Sequence, residues 1–562
     1  MTEEHPPVLI VGGGPAGLSS ALFLARSGIR SLLVERRPQT STLTRATGVH
    51  ARSMELFRQA GIEKDIRAAG LRLVPKEVFE QGKAPKGAIP RIILRAPSLA
   101  RLDESQVIET GEQFSLDLTP APPAWCGQDL LEPLMLRAAR DAGADVRFGT
   151  ALESFTADDD GVTAVIRDVA TERETRVRAD YLIAADGNRS PIREQLGIGR
   201  TGKGLLQRMI SVVFHADLRE VIGDRKFILT FIANEDIQGV AVCLDGANRW
   251  MFWTGYTPES GVIPADFDTE RCAEMVRAAI GRPDHEIDIE GTFPWEAAHF
   301  ISDSFRAGRV FLVGDAAHLH PPDGSFGANA GIQDGHNLAW KLAAVLHGTA
   351  GPGLLDSYDT ERRPVGAATA DQAYLREQNR ATAYRHPGFR SFPIVIIGYR
   401  YYSSAVVPET PGAAGDALPE ELDLSGRPGT RVPHIWLRRG DERVSTVDLP
   451  DGGFVLLTGG SADDWAAAAA EVSTGTGVPV RWAGIGGGDL DTEEPGVDWA
   501  GRLGIHPDGA LLVRPDGFVA WRAEKAPDEP VEALREVLDQ ILSRGSATPG
   551  PAAAHNSSNT EA

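Results

Sequence analysis

The sequence predicts an α/β protein of several units: a nucleotide-binding α/β domain, a β-sheet domain set into it, and a small α/β domain near the C-terminal end. Three observations carry this. Residues 8–35 read strand, helix, strand as "VLIV", "AGLSSALFLARSG" and "RSLLVE". Residues 205–292 hold stretches such as "SVVFHADL", "FILTFIA", "GVAVCLD" and "RWMFWTGY". Several of them alternate apolar and polar side chains, as a half-exposed antiparallel sheet requires. Beyond residue 421 the α/β style returns with "GGFVLLTGG", "ALLVRPDGFVAWR" and "PVEALREVLDQIL".

Between these landmarks, helices are expected near 51–59, 129–142 and 269–280, and again near 330–347 and 355–382. Short strands "VRFG", "VTAVIRD" and "YLIAAD" precede the sheet domain, and residues 76–120 are irregular and rich in Pro and Gly. "PETPGAAGDALPEE" reads as linker. The tail "GSATPGPAAAHNSSNTEA" has almost nothing to bury and is expected to be disordered.

The 562 residues carry a net charge of −21, which argues against nucleic acid as a partner and for a solubility role. "MTEEHPP" is too acidic and polar for a signal peptide. "VLIVGGGPAGLSSALFLA" is broken by glycines and too short for a comfortable membrane span. Cys126, Cys243 and Cys272 are too scattered for a disulfide framework or a zinc site, so a reducing cytoplasm is the expected compartment.

"VLIVGGGPAGL" contains G-x-G-x-x-G as Gly12, Gly14 and Gly17, with Pro15 and Ala16 opening the helix. Gly12 permits the tight turn, Gly14 lets backbone approach a pyrophosphate, and Gly17 lets helix and strand pack closely. The helix start offers unpaired N–H groups and partial positive charge to the phosphates. Glu35 ends the next strand where a ribose-binding acid is expected, which favours FAD or NAD over NADP. Arg36 is placed near an adenine, Arg45 near phosphates, and Gln128 at a helix start. Each has a plain alternative as a surface charge or a cap. "YLIAADGNRSPIRE" ends a strand in Asp186-Gly187, followed by Arg189. That is a ligand position at a sheet's carboxyl edge, or an Asp capping the next helix.

"VGDAAHLHPPDGSFGANAGIQDGHNLAWKL" places Gly314 and Asp315 at another carboxyl edge. Gly324, Gly327 and Gly331 would keep the loop free of side chains, so that a flat group could lie on backbone at the start of the helix "IQDGHNLAWKLAAVL". A flavin suits this place, because the helix dipole stabilises the negative charge of its reduced form. His318 and His320 invite a metal reading. However, no third ligand of a recognised pattern follows, and Pro321-Pro322 holds the loop extended, so no metal is expected.

Together "GGGPAG", "ADGNRSPIRE" and "VFLVGDAAH" resemble the dinucleotide, DG and GD motifs of the class A flavoprotein monooxygenases, the aromatic hydroxylases of the para-hydroxybenzoate hydroxylase type. The resemblance covers residues 7–380, and "FGANAGIQDGHNLAWKLAAVLHG" is similar to the polyketide-tailoring and phenol hydroxylase branch. It implies a Rossmann-like FAD-binding domain over 1–75, 116–204 and 293–400, and a β-sheet substrate domain over 76–115 and 205–292. A linker over 401–421, a thioredoxin-like domain over 422–545 and a tail over 546–562 complete the chain. It further implies that Glu35 holds the adenosine ribose, while Arg45 and Gln128 contact FAD. Asp186 and Arg189 would serve FAD and the pyridine nucleotide, and Asp315 the ribitol. Gly327, Ala328 and Asn329, after Pro322, would line the isoalloxazine edge. The C-terminal region has no cysteine, so packing or homodimer contacts are expected of it rather than redox chemistry. "SFG" stands where many relatives carry a Gly-Gly-x-Gly-like run, so Ser325 and Phe326 would change how the flavin edge is presented.

The implied activity is an NADH- or NADPH-dependent and O2-dependent hydroxylation of a phenolic ring through a flavin C4a-hydroperoxide, which needs positioning and a dry cavity. Phe227, Phe231, Trp250, Phe252, Trp253 and Tyr256 suit a polycyclic aromatic substrate, with core packing as the alternative role. His299 or Tyr256 would serve as base on chemistry alone. Baeyer–Villiger oxygenation of a ketone and a flavin-binding protein without turnover are the alternatives. A halogenase is disfavoured, because "NRWMFWTG" is not W-x-W-x-I-P.

Overall fold

The computed structural model describes residues 2–74, 79–83, 88–90, 92–109, 117–258, 263–378, 382–460, 463–487, 489–493 and 496–544. The expected disordered tail and part of the 76–115 segment lie outside them. The strands that position the site are β1 (Val8–Val11), β2 (Ser31–Glu35), β3 (Asp145–Phe148), β4 (Tyr181–Ala184), β5 (Arg200–His215), β6 (Arg249–Tyr256), β7 (Asp288–Ser302) and β8 (Val310–Leu312). The helices are α1 (Pro15–Arg26), α2 (Ala51–Gln59), α3 (Gln128–Asp141), α4 (Pro191–Gln195), α5 (Thr269–Ile280), α6 (Phe326–Leu346) and α7 (Asp356–Gln378).

The first sheet runs β3-β2-β1-β4-β8, all parallel, with the antiparallel Arg306–Ala307 strand at its edge. Val8–Val11 and Tyr181–Ala184 are buried throughout, as central parallel strands covered on both faces must be. The chain winds from β1 through β2 to β3 on one side, then returns to place β4 on the other. Ligands of open α/β sheets bind at such a switch point, outside the carboxyl ends of the strands.

The second sheet has eight strands, with β7, β5 and β6 adjacent and antiparallel. Its two faces differ. Ile210, Val212, Phe214, Trp250 and Phe252 pack with Cys272, Val276 and Ile280 of α5. The intervening Val213 and Met251 join Phe293, Trp253, Trp295 and Leu43, and Leu43 belongs to the loop that follows β2. That second face is therefore turned toward the nucleotide-binding domain. The limits of α5 follow from its caps: Asp268 accepts from the Arg271 N–H, and Gly281 ends the helix at φ 79°.

The C-terminal unit is built on a sheet ordered Val480–Ile485, Phe454–Gly459, Ala510–Val513, Val519–Ala523, with one parallel and two antiparallel pairings. The stretch leading into it is packed rather than free, since Tyr401, Ala405, Val406 and Leu418 are buried. Buried ions bind this unit to the main body. Arg514 clasps Glu361 of α7 at 2.6 and 2.9 Å, and Lys341 of α6 reaches the same carboxylate at 2.7 Å. Arg431 meets Glu55 of α2 at 2.7 Å. Burial would raise the Glu361 carboxyl, but Arg514 and Lys341 outweigh it and hold it far below the usual range. Lys341 is brought down to about 8 by burial against the pull of Glu361. Among the described residues, no helix is long and apolar enough to cross a membrane.

Two outcomes follow. Glu361→Gln leaves Arg514 and Lys341 short of counter-charge and is expected to cost about 3 kcal/mol or more of stability, read from urea unfolding. A loss under about 1 kcal/mol would mean that water reaches the cluster. His50, His336 and His434 are held by burial at about 4, 3 and 4. Their folded values lie below the unfolded one, so the stability they provide is present above about pH 6.5 and lost as pH falls toward 4. The free energy of unfolding, read from urea titrations, should drop across that window by up to about 3 kcal/mol per histidine.

Candidate active site

Three helix starts meet at the switch point. Pro15 of α1, Gln128 of α3, and Ala328 and Asn329 of α6 line one cleft, together with Ala46 and Gly48. None of the three helices has a side-chain cap, and although the Gln128 N–H donates to the Ala46 carbonyl at 2.8 Å and Pro15 has none, N–H groups further into the first turns have no intrahelical partner. Each start carries about half a positive charge.

The glycines of the first turn divide into scaffold and opening. Gly12 has φ +112°, and a side chain there would strike the Ala185 carbonyl. A methyl on Gly17 would collide with the Gly12 carbonyl oxygen. At Gly14 nothing lies within 4 Å of the place a methyl would take, so the backbone there faces open space. The Glu35 carboxylate accepts from the N–H of Gly13 at 2.7 Å and of Arg37 at 2.9 Å. It thereby ties the turn to the end of β2, beside the space that a ribose would enter. Arg36 is exposed. Arg45 and Asp315 both keep solvent-exposed surface while protein atoms crowd round their charged groups. Burial lowers the Arg45 pKa, aided by Arg37, and raises that of Asp315, opposed by His318 and Arg45. Gln128 Nε2 donates to Glu132 at 2.6 Å, and Glu132 also accepts from the Ser41 N–H at 2.7 Å. Pro322 is exposed at the loop's edge, and Gly327 keeps ordinary clearance from His320.

Several expectations change here. Ser190 caps α4 by accepting from the Arg193 N–H at 3.2 Å, and Asp186 supports it, accepting from the Ser190 hydroxyl at 2.7 Å and from the Ile192 N–H at 3.1 Å. Gly187 has φ +83° beside it, and Arg189 is exposed. Helix α6 starts at Phe326, earlier than expected, because Ser325 takes a left-handed conformation (φ 55°) and releases the chain into helix. Gly331 therefore lies inside the helix, where a methyl would stand 3.0 Å from Gly314 Cα and 3.1 Å from Ala16 Cβ. Gly335 similarly makes room for Ser20. These glycines serve helix packing, not a ligand. The Asn329 amide is spent on protein: it accepts from the His50 N–H at 2.8 Å and donates to the Gly48 and Ser325 carbonyls at 2.9 and 2.8 Å. Phe326 is turned into the core, with the Arg376 guanidinium 5.5 Å from its ring centre. Its side chain is therefore not part of the cleft lining.

The candidate bases also change. Tyr256 packs on Phe267 with the α5 core, on the far face of the sheet. Trp250, Phe252 and Phe227 belong to that core as well, leaving Trp253 on the cleft side. Both nitrogens of His299 are engaged, Nε2 with Asp371 at 3.0 Å and Nδ1 by the Lys203 N–H at 3.3 Å.

The residues that sequence reasoning missed form the support under Gly314-Asp315. Asp334 accepts from the Gly314 N–H at 3.0 Å, from His318 at 2.6 Å and from Arg362 at 2.7 Å, all fully buried. Burial would raise it, but His318 and Arg362 prevail and keep it well below the carboxylate range. The signal was available: Asp334, Asn337 and Lys341 recur at helical spacing within an apolar helix. His318 stacks on His320 at 4.7 Å, and His320 donates to the Gly366 carbonyl at 3.1 Å. Among the described residues no group of three or more His, Cys, Asp or Glu is arranged to hold a metal.

A parallel sheet with a glycine turn at its switch point, three uncapped helix starts and a second sheet turned toward them define a flavoprotein monooxygenase fold. The chain belongs to the FAD-dependent aromatic-ring hydroxylases: the FAD binding domain family matches residues 5–373, and the aromatic-ring hydroxylase C-terminal family matches 425–545. It is 47% identical to a tetracenomycin A2 monooxygenase-dioxygenase of Streptomyces glaucescens, over 98% of this chain and 99% of the relative. It is 40% identical to aklavinone 12-hydroxylase RdmE of Streptomyces purpurascens, over 97% and 100%. Its fold matches aklavinone-11 hydroxylase solved with FAD and aklavinone, with TM-score 0.86, 39% identity, and coverage of 97% and 100%. PieE, solved with FAD and substrate, matches with TM-score 0.85, 32% identity and the same coverage. The protein is an FAD-dependent monooxygenase.

The glycine geometry separates ligand contact from scaffold. Gly14→Ala should leave the apo-protein's melting temperature unchanged while weakening FAD retention, read as absorbance of the flavin band after gel filtration. Gly17→Ala should lower both. Equal retention in Gly14→Ala and the parent would remove the pyrophosphate from this turn.

Proposed function

We propose that the protein hydroxylates a polycyclic aromatic compound of polyketide type, with NADH or NADPH as reductant and O2 as co-substrate, in the cytoplasm. The observation that carries the reading is the pairing of the uncapped helix starts with the aromatic sheet face of Trp253, Trp295 and Phe293. The relatives named for tetracenomycin A2 and aklavinone support a fused-ring substrate. The three cysteines are free and buried, which suits a reducing compartment.

When bound, FAD supplies the hydride acceptance and oxygen activation that no side chain offers. The protein's part is binding and placement. The turn that Gly12 and Gly17 shape receives the pyrophosphate at the start of α1, over Gly14, Pro15 and Ala16, and Glu35 lies beside the ribose. Arg45, Gln128 and Asp315 face the middle of the cofactor. The start of α6, at Gly327 and Ala328, turns its N–H groups toward the edge where reduced flavin carries negative charge. Asn329 holds that start against Gly48 and His50. The sheet face covers the reacting ring and keeps water out, with Trp295 fixed by its bond to Ser211 at 2.9 Å.

The test is turnover of tetracenomycin A2 and aklavinone by the FAD-loaded enzyme under labelled O2. One labelled oxygen on a ring carbon is expected, and label inserted beside a ketone would make the reaction Baeyer–Villiger. NADPH or NADH oxidation without labelled product from either compound would defeat the reading. Trp295→Ala should raise KM about tenfold or more while FAD stays bound, since it removes a large aromatic contact.

A further inference from the structure

Strands β5 and β7 join the two domains at one end. The chain enters β5 beside the point where it leaves β7, with the Asp303 N–H donating to the Gly199 carbonyl at 2.9 Å. From there β5 runs 16 residues to His215, about 50 Å at the usual rise. His215 lies opposite Arg249 at the start of β6 and Asp288 at the start of β7. At this distal end the three strands meet the nucleotide-binding domain through side chains.

Arg249 shares a face with Met251 and Trp253, since alternate residues of a strand point the same way. That is the face on which Leu43 packs. Arg249 Nη1 donates to Asp129 at 2.8 Å, and the two side chains are only 20% and 9% exposed. Asp129 is the second residue of α3, next to Gln128 in the cleft lining. Its carboxylate folds back against the place a methyl on Gly127 would take. Its charge is felt in the cleft: burial, with Asp129 adding to it, pushes the thiol of Cys126, another lining residue, up to about 12. On the sheet side, Glu290 of β7 accepts from Nε and Nη2 of the same guanidinium at 2.7 Å each, and His215 Nε2 lies 3.1 Å from Glu290. The Asp245 carboxylate accepts from the Arg249 N–H at 3.1 Å. The planar fork is thus fixed by its own domain, with Nη1 left to reach the other domain.

We propose that Arg249 is a positioning residue: through Asp129 it seats the distal end of the substrate sheet on the start of α3 and keeps the aromatic face closed over the reacting ring. Closure decides where oxygen goes. With substrate seated, one atom of O2 enters the ring, the other leaves as water, and the pyridine nucleotide supplies the two electrons. Where water reaches the site, both atoms leave as hydrogen peroxide for the same two electrons, and no product forms. Freed at its distal end, the sheet tilts about Gly199 and Asp303 and the face opens.

The inference rests on the hydroxylase reading above, and the experiment separates the two. The parent, Arg249→Met, Asp129→Asn, the double variant and Arg249→Lys are compared as FAD-loaded proteins on tetracenomycin A2 and aklavinone. Product formed per pyridine nucleotide oxidised is expected to fall about tenfold in Arg249→Met and in Asp129→Asn, with hydrogen peroxide making up the difference. The double variant should be no worse than either single one, because the same contact is broken. Arg249→Lys should recover part of the coupling, since it keeps the charge but not the fork. Asp129→Asn should keep its FAD absorbance and melting temperature. Without substrate, amide hydrogen exchange should quicken at 41–45 and 249–253 in both single variants. A parent active on either compound, with both single variants equally well coupled, would overturn this proposal alone. Losses that add in the double variant would overturn it too, because Arg249 would then not act through Asp129. An Asp129→Asn protein that melts lower or loses FAD would make the pair merely structural, with the same result. A parent that hydroxylates neither compound would overturn the hydroxylase reading. The exchange would still decide the seating, and unchanged exchange at both segments would overturn it.

Discussion

Helices α1 and α6 meet with almost no side chain between them. Ala16 lies against Gly314 and Gly331, Gly335 makes room for Ser20, and the Ser19 hydroxyl donates to the Ile332 carbonyl at 2.7 Å. The closeness matters because the two helix starts come from segments some three hundred residues apart. One belongs to the turn after β1 and the other to the loop after β8. Any Cβ inserted at this contact would spread the starts and widen the cleft they line. The catalytic architecture therefore depends on a contact whose contribution is the absence of atoms.

Around this contact, polar groups are buried at unusual density. Asp334 gathers a backbone N–H, a histidine and an arginine under the Gly314 turn, and Glu361 gathers Arg514, Lys341 and Asn337 one layer further out. Such clusters gain little net stability over an apolar core. What they supply is a single arrangement: Gly314 cannot shift without stranding Asp334, and α6 cannot slide along α7 without stranding Glu361.

Much of the architecture was legible from local pattern. Helices 51–59 and 269–280 have the limits read from the sequence. The strand–glycine–helix unit at 8–35 stands where its apolar runs and Gly12, Gly14 and Gly17 placed it. What was not legible depends on three-dimensional choice. Which face of the second sheet turns toward the cofactor is a matter of one residue's parity, and it put Tyr256 and Trp250 behind the sheet but Trp253 in front. Side-chain amides and carboxylates such as Asn329 and Asp186 answer to whichever backbone groups pack near them, and spacing along the chain does not reveal these. Gly331 looked like clearance for a ligand and is clearance for a helix. Asp334 shows its helical spacing with Asn337 and Lys341 along the chain, but only packing brings His318 and Arg362 to it and buries all three.

The ionic clasps between the C-terminal unit and the body constrain how this chain can exchange parts with its relatives. Glu55 and Glu361 lie in the main body, while their cations Arg431 and Arg514 are contributed by the C-terminal unit. A chimera joined at the linker inherits half of each clasp from each parent. It will assemble only when both parents kept the same pairings at the seam, so compatibility of shuffled hydroxylases is decided at two buried carboxylates far from any substrate.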